Sequence, residues 1–300
     1  MKDKKSSPDS SGSSTGTPKD SHYARLRRQF RDQKSGGSEQ NSQPYRQDNR
    51  FDRRKSVKGS PAEDGIIRLY GLHTVKAAIE NPRRRIFRML VTKNALARLE
   101  LDDATLARLT PEMVEPRDID ALTGSDAVHQ GVLIETAALK PRKLQDLKEG
   151  RLLLILDQVT DPHNVGAILR SAVAFGADAI ITTSRHSPQE SGVLAKSASG
   201  ALEMIDQIEV RNLAEAIQEL HELGYMTIGL DSEGPLEMEQ TLKGNKVALV
   251  LGAEGKGLRQ KTRETVNALA RLDMPGAIKS LNVSNAAAIS LYAAQRFLSK

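Results

Sequence analysis

The chain contains no cysteine, which excludes a disulfide, a thiolate metal ligand and a cysteine nucleophile. No apolar run approaches the ~20 residues that a membrane-spanning helix needs. The N-terminal stretch lacks the apolar segment of a secretory signal, and its acidic residues do not suit a transit peptide. The expectation is a soluble, cytoplasmic protein with no membrane contact. Two common phosphate loops are missing as well. Gly252-Ala-Glu-Gly-Lys-Gly257 places glycine where a Walker A loop needs Ser or Thr. No Gly-x-Gly-x-x-Gly turn follows the first strand of the C-terminal half, so a dinucleotide site is disfavoured.

Apolar residues make up only 38% of the chain, and the deficit is concentrated at one end. Residues 1–60 are rich in Ser, Gln, Asp, Lys and Arg and carry apolar side chains only singly, as at Leu26, Phe30 and Phe51. Such a segment buries too little surface to offset its chain entropy, which predicts a disordered tail over residues 1–65. The tail also holds the basic charge. Residues 1–60 carry 15 Lys/Arg against 7 Asp/Glu, a net of +8, whereas the other 240 carry 29 against 31, a net of −2. Arg25-Leu-Arg-Arg28 and Arg53-Arg-Lys55 suit either a non-specific phosphate-binding arm, driven by counterion release, or a solubilising extension.

Sustained apolar content begins near Ile66. Periodicity predicts a helix over 73–81, a strand over 86–92, a helix over 93–109 and a strand over 131–136, together a small α/β unit spanning 66–137. Residues 138–150 are polar and read as a linker. From residue 151 to 300 strands and helices alternate. Strands are expected at 152–156, 178–183, 225–230, 247–251 and 269–273, with helices at 165–175, 212–223 and 282–298. Leu152-Leu-Leu-Ile-Leu156 and Val247-Ala-Leu-Val-Leu251 are continuous apolar runs of the kind buried on both faces. The pattern argues for an open parallel sheet covered by helices on both sides.

Ligands of such sheets bind where loops leave the carboxyl ends of strands. Three polar loops stand at those places. Asp157-Gln-Val-Thr-Asp-Pro-His-Asn-Val-Gly166 follows the first strand and leads into a helix carrying Arg170. Gly252-Ala-Glu-Gly-Lys-Gly257 follows the second apolar run, and Met274-Pro-Gly-Ala-Ile-Lys-Ser-Leu-Asn-Val-Ser-Asn285 opens the last helix. Each admits a plain structural role: Asn164, and Ser280 or Asn282, as helix caps, Arg170 as a solvated side chain, Glu254 as a turn residue. His163, His73 and His129 have no companions at metal-ligand spacing, so no metal site is expected.

Asp161-Pro-His-Asn-Val-Gly-Ala-Ile-Leu-Arg170, Leu251-Gly-Ala-Glu-Gly-Lys-Gly-Leu258 and Ser280-Leu-Asn-Val-Ser-Asn-Ala-Ala287 resemble, in order and spacing, the three motifs of the SpoU-type (TrmH-like) RNA 2′-O-ribose methyltransferases. The stretch from Tyr70-Gly-Leu-His to His129-Gln-Gly-Val is similar to that family's substrate-binding domain, which is like ribosomal protein L30e. The resemblance covers about residues 66–300 and implies a deep trefoil knot of the SPOUT type in the C-terminal domain. It implies S-adenosylmethionine as cofactor, contacted by Gly252, Leu272 and Leu281, and a homodimer formed through the knot region. Asn164, Arg170, Glu254, Ser280 and Asn282 would surround the reacting ribose.

The implied chemistry is attack of a ribose 2′-hydroxyl on a sulfonium methyl, which needs orientation and removal of one proton. Arg170 is either the base or an electrostatic stabiliser. A guanidinium with a pKa above ~12 is a poor base, which favours phosphate binding and stabilisation of the developing alkoxide. Within the family the arrangement is most similar to enzymes that methylate a guanosine of 23S rRNA. The alternatives are tRNA methylation and a non-catalytic RNA-binding protein of ribosome assembly.

Overall fold

A computed structural model describes residues 65–147 and 150–300; the basic tail expected over residues 1–65 lies almost wholly outside them. The first described unit runs β1 (Ile66–Tyr70), α1 (Leu72–Glu80), β2 (Ile86–Val91), α2 (Lys93–Leu99), α3 (Asp103–Leu109), β3 (Glu112–Met113), α4 (Pro116–Thr123) and β4 (Val132–Ala137). Its sheet has the order β1-β4-β2-β3, with β4 antiparallel to both neighbours and β3 parallel to β2. Leu69, Met89, Val91 and Ile134 share one apolar cluster with Val75 and Ile79 of α1, while Leu90 and Leu133 meet Ile119 of α4 on the other face. The single helix expected over 93–109 is two. Glu100 adopts the left-handed conformation at the end of α2, and Asp102 caps α3 by accepting the Thr105 N–H at 2.8 Å. A short carboxylate at that point satisfies a helix start better than a helix interior.

The second unit runs β5 (Leu152–Asp157), α5 (Pro162–Ala174), β6 (Ala179–Thr183), α6 (Gly192–Ala198), β7 (Asp206–Val210), α7 (Leu213–Glu222), β8 (Met226–Leu230), β9 (Leu236–Glu237), α8 (Met238–Thr241), β10 (Val247–Gly252), α9 (Gln260–Thr265), β11 (Ala268–Arg271) and α10 (Val283–Leu298). Its seven strands are all parallel, in the order β7-β6-β5-β10-β8-β11-β9. Alternation along β5 explains its continuous apolar run. Leu152, Leu154 and Leu156 join Ile168, Leu194 and Leu291 of α5, α6 and α10; Leu153 and Ile155 join Ile217 and Leu220 of α7 on the opposite face. Each fully buried Leu or Ile stabilises by ~1.5–3 kcal/mol. Asp161 caps α5, accepting from the His163 and Asn164 N–H groups, with Pro162 at the first helical position. The helix therefore starts three residues before the expected Val165.

Part of the segment expected as a linker packs on the edge strand β7. Arg142 pairs with Ile208 of β7 and its Nε sits 3.0 Å from Asp206, and Leu144 is buried. Strand β7 was not anticipated because only Ile208 of Asp-Gln-Ile-Glu-Val is buried. Among the described residues no helix is long and apolar enough to cross a membrane.

A buried ionic cluster joins the two sheets' domains. The Arg84 side chain, 0% exposed, donates to Glu190 Oε1 at 2.5 Å and to the Ala137 carbonyl at 2.9 Å, and pairs with Glu203. Asn81 Nδ2 also donates to Glu203, at 2.6 Å, and the Leu139 N–H donates to Glu190 at 2.9 Å. Burial pushes the Glu190 carboxyl above its ordinary value, although Arg84 and the Leu139 N–H pull it back. Thr74 Oγ1 to the Ala195 carbonyl, 3.2 Å, and Lys196 Nζ to Gln130 Oε1, 2.8 Å, add contacts across the same junction.

Candidate active site

Because every strand of the second sheet points the same way, the loops after β5, β8, β10 and β11 emerge on one edge. The order reverses there: β6 and β7 lie on one side of β5, while β10 and β8 lie on the other. Such a switch point opens a crevice at the carboxyl ends of the strands. A cavity of ≈ 500 Å³ occupies this edge.

Its geometry starts from Asp157, the last residue of β5, whose side chain is fully buried. Asp157 accepts the Arg259 N–H at 3.0 Å and Arg259 Nε at 2.6 Å, which pins the loop after β10 to the end of β5. That loop folds back on itself through paired hydrogen bonds between Ala253 and Gly257, at 2.8 and 3.1 Å. Only glycine serves at 252, since a Cβ there would stand 2.1 Å from the Gly257 carbonyl carbon. On the β5 side, Gln158 takes a left-handed φ of 64°, a conformation uncommon without glycine, and turns the chain toward α5.

Three amide and carboxylate side chains then meet across the crevice. Asn282 Nδ2 donates to Asn164 Oδ1 at 3.0 Å, and Asn164 Nδ2 donates to Glu254 Oε2 at 3.4 Å. Asn282 Oδ1 also accepts the Ser284 N–H at 2.8 Å, so the residue caps α10 while reaching the site. Asn164 is free for this contact because Asp161 does the capping of α5. Glu254, Asn282, Ser280, Gly252, Leu272 and Leu281 all line the cavity. The structure thus gathers seven of the eight sequence-predicted residues at one edge.

Arg170 stands apart. It is exposed and is not part of the cavity wall. Six residues past Asn164, it lies ~9 Å along the helix and ~120° around it. One copy of the chain does not bring it to the Asn164–Glu254 contact. Nearby, Ile289 and Tyr292 of α10 are 47% and 55% exposed, and Tyr292 packs edge-on against Phe175 at the end of α5, ring centres 5.8 Å apart.

The sequence reading missed a fourth wall, Asp231 and Ser232 after β8. Asp231 pairs with Arg263 of α9, holding that wall in place. The signal that marked the other loops, a polar segment at the end of an apolar strand, is present equally in Leu230-Asp231-Ser232. Of the histidines, His163 Nδ1 lies 3.2 Å from Ser197 Oγ, and His129 lies between Asp120 and the Gly131 N–H. Among the described residues no group of three or more His, Cys, Asp or Glu is placed to hold a metal ion. The arrangement offers amide donors, a carboxylate acceptor and apolar walls, suited to an elongated ligand with both polar and apolar parts.

Residues 151–292 match the SpoU rRNA methylase family, and residues 68–142 match the RNA 2′-O ribose methyltransferase substrate-binding family. The chain is 38% identical over 235 residues to a 23S rRNA (guanosine-2′-O-)-methyltransferase RlmB of Ralstonia nicotianae, covering 76% of this chain and 94% of that protein. It is 36% identical over 241 residues to the RlmB protein of Pseudomonas putida, covering 77% and 96%. Among solved structures it is similar to the SpoU methyltransferase AviRb from Streptomyces viridochromogenes in complex with AdoMet, with TM-score 0.65, 22% identity and coverage of 80% and 93%. It is also similar to an AdoMet-bound rRNA methyltransferase from Sinorhizobium meliloti, with TM-score 0.66, 24% identity and coverage of 79% and 90%. At those identities the structural likeness is one of fold.

Proposed function

The chain belongs to the SpoU rRNA methylase family, and from that premise we propose that it methylates the ribose 2′-hydroxyl of a guanosine in 23S rRNA, using S-adenosylmethionine. The observation that carries this reading is the Asn282–Asn164–Glu254 chain of hydrogen bonds at the mouth of the sheet-edge cavity. It supplies polar groups for a ribose beside a pocket large enough for a nucleoside-sized cofactor.

The cavity fits that cofactor. Leu251, Leu272, Leu281 and Ala286 provide apolar wall for a purine, and the close approach of Gly252 to Gly257 leaves backbone rather than side chain at the floor. When bound, the cofactor supplies an electrophilic methyl group. The protein's share is then orientation and charge. Asn164 and Asn282 hold the ribose, and Glu254 fixes the Asn164 amide and accepts from the incoming sugar. Ser280 shapes the loop entering α10. Arg170, permanently cationic, binds the nucleotide phosphate and steadies the 2′-oxygen as it loses its proton.

Arg170 reaches that position in a homodimer, contributed by a second copy. The exposed Ile289 and Tyr292 on α10, next to α5, support an interface there. Membership of the SpoU family is what supports a trefoil knot in the chain. Residues 66–137 form an L30e-like domain that binds the RNA, residues 138–150 join it to the methylase domain of 151–300, and the basic residues of 1–65 add positive charge for RNA phosphates. An rRNA substrate implies action in the cytoplasm.

Labelled S-adenosylmethionine, incubated with the protein and total RNA from cells lacking it, tests the reading once the 2′-O-methyl sites are mapped. A single guanosine of 23S rRNA is expected. Transfer to tRNA alone would replace the substrate, and no transfer to any RNA would favour an RNA-binding role.

A further inference from the structure

A second cavity, ≈ 440 Å³, opens at the junction of the two domains, on the far side of the first turn of α5 from the methyl-transfer crevice. One wall is β1, with Arg68 and Tyr70; Thr123 at the end of α4 is another. The rest is the loop entering α6, including Gln189, and Pro162 of α5. Its size falls in the range of small-ligand pockets. Pro162 and Asn164 are the first and third residues of α5 and point ~200° apart. The helix start is therefore a ridge one side chain wide, with the junction cavity on one flank and Asn164 on the other.

The junction is built rather than loose. Gly192 closes the cavity floor, since a Cβ there would come within 2.5 Å of both the Arg68 carbonyl and the Tyr70 ring. Glu190, another lining residue, is anchored by Arg84 and the Leu139 N–H. Arg68 is steered by Glu135, its Nε donating at 3.0 Å. Burial raises the Tyr70 phenol above its ordinary value, so it remains a protonated donor under physiological conditions.

We propose that this cavity is a subsite for an unpaired base of the RNA substrate, other than the methylated one, and so helps to select the methylation site. The proposal rests on the RNA-methylation reading above. A strand that reaches Asn164 while lying on the N-terminal domain passes over the junction. An aromatic ring and a guanidinium in the wall are the groups on which splayed-out bases stack, and the Gln189 amide and Tyr70 hydroxyl suit a base edge. Base selection in RNA usually works through such extruded, single-stranded nucleotides.

The test uses the full chain, with transcripts tiling 23S rRNA as probes. The tightest-binding transcript is prepared with single abasic substitutions at its unpaired nucleotides. Binding is measured for the wild type and for Thr123→Trp and Gln189→Trp, which fill the cavity from its wall and its exposed mouth. Loss of one stacked base weakens single-strand binding measurably, so filling the cavity is expected to weaken binding of the intact transcript about tenfold. One abasic position, distinct from the methylated nucleotide, should weaken binding by the wild type by a similar factor and have no further effect on the filled variants. S-adenosylmethionine affinity should be unchanged in all three proteins. The proposal is overturned if both filled variants bind the intact transcript within twofold of the wild type, or if every abasic penalty is equal in wild type and variants. Failure of methyl transfer by the wild type, with these binding differences intact, would instead count against the catalytic reading.

Discussion

Two polar clusters of similar make-up sit in opposite surroundings. At the domain junction, the side chains of Arg84, Glu190 and Glu203 are drawn out of water with half-buried Asn81 beside them, and the guanidinium meets two carboxylates and a backbone carbonyl. At the sheet edge, Asn164, Glu254 and Asn282 stay accessible and are joined by only two side-chain hydrogen bonds, one as long as 3.4 Å. The first cluster has spent its donors and acceptors on the protein. The second retains hydrogen-bonding capacity for something else. A buried, saturated network fixes structure, whereas an open, under-used one at the carboxyl edge of a parallel sheet is where a substrate fits.

Breaking the junction should give the largest effect. Arg84→Met leaves two buried carboxylates without their counter-ion and is expected to cost about 3–5 kcal/mol of stability, measured by urea unfolding. A cost under ~1 kcal/mol would show that the cluster does not hold the domains. At the site the expected loss falls on rate instead. Arg170→Ala should lower methyl transfer ~10²- to 10³-fold, the scale for removing one preorganised charge-stabilising donor. Stability should stay within ~0.5 kcal/mol, as for other exposed positions.

Gly252→Ala sits between the two cases, because it forces a methyl into the Gly257 backbone. It should cost about 1–3 kcal/mol through overpacking and weaken S-adenosylmethionine binding, read by calorimetry. The smallest effect is a pH dependence. The folded protein holds the Glu190 proton more tightly than the unfolded chain, whose ordinary value is 4.5. The stability from that proton is full below the ordinary value and is lost as pH rises through the folded one. The wild type should therefore lose stability relative to Glu190→Gln as unfolding is followed from pH 4 to pH 7; an unchanging difference would contradict the burial argument.

The convergence of loops at one end of the parallel sheet was legible in sequence because apolar strands and the polar loops after them are local signals. The same locality set the errors. Asp161-Pro162 was a readable helix start, yet attention to Asn164 as a cap put the start at Val165. Asp102 and Asp103 marked a break that apolar periodicity ran across. Long-range partners were invisible. Nothing near Asp157 announces Arg259, about a hundred residues on, and nothing in Arg83-Arg-Arg-Ile-Phe-Arg88 says which arginine turns inward. In the fold Arg84 is buried, and Arg83 and Arg88 face Asp206 and Glu112. Arg170 is the converse case. Its motif position was clear, but a single copy of the chain leaves it exposed and outside the cavity wall.

The contrast between the buried cluster and the open one proposed to act in catalysis rests most directly on Asn164. Methyl transfer to 23S rRNA by Asn164→Ala, measured at saturating S-adenosylmethionine beside the wild type, is expected to fall ~10²-fold or more. The melting temperature should be unchanged. Turnover close to wild type, or a rate loss matched by loss of fold, would contradict the assignment of the Asn282–Asn164–Glu254 chain to catalysis.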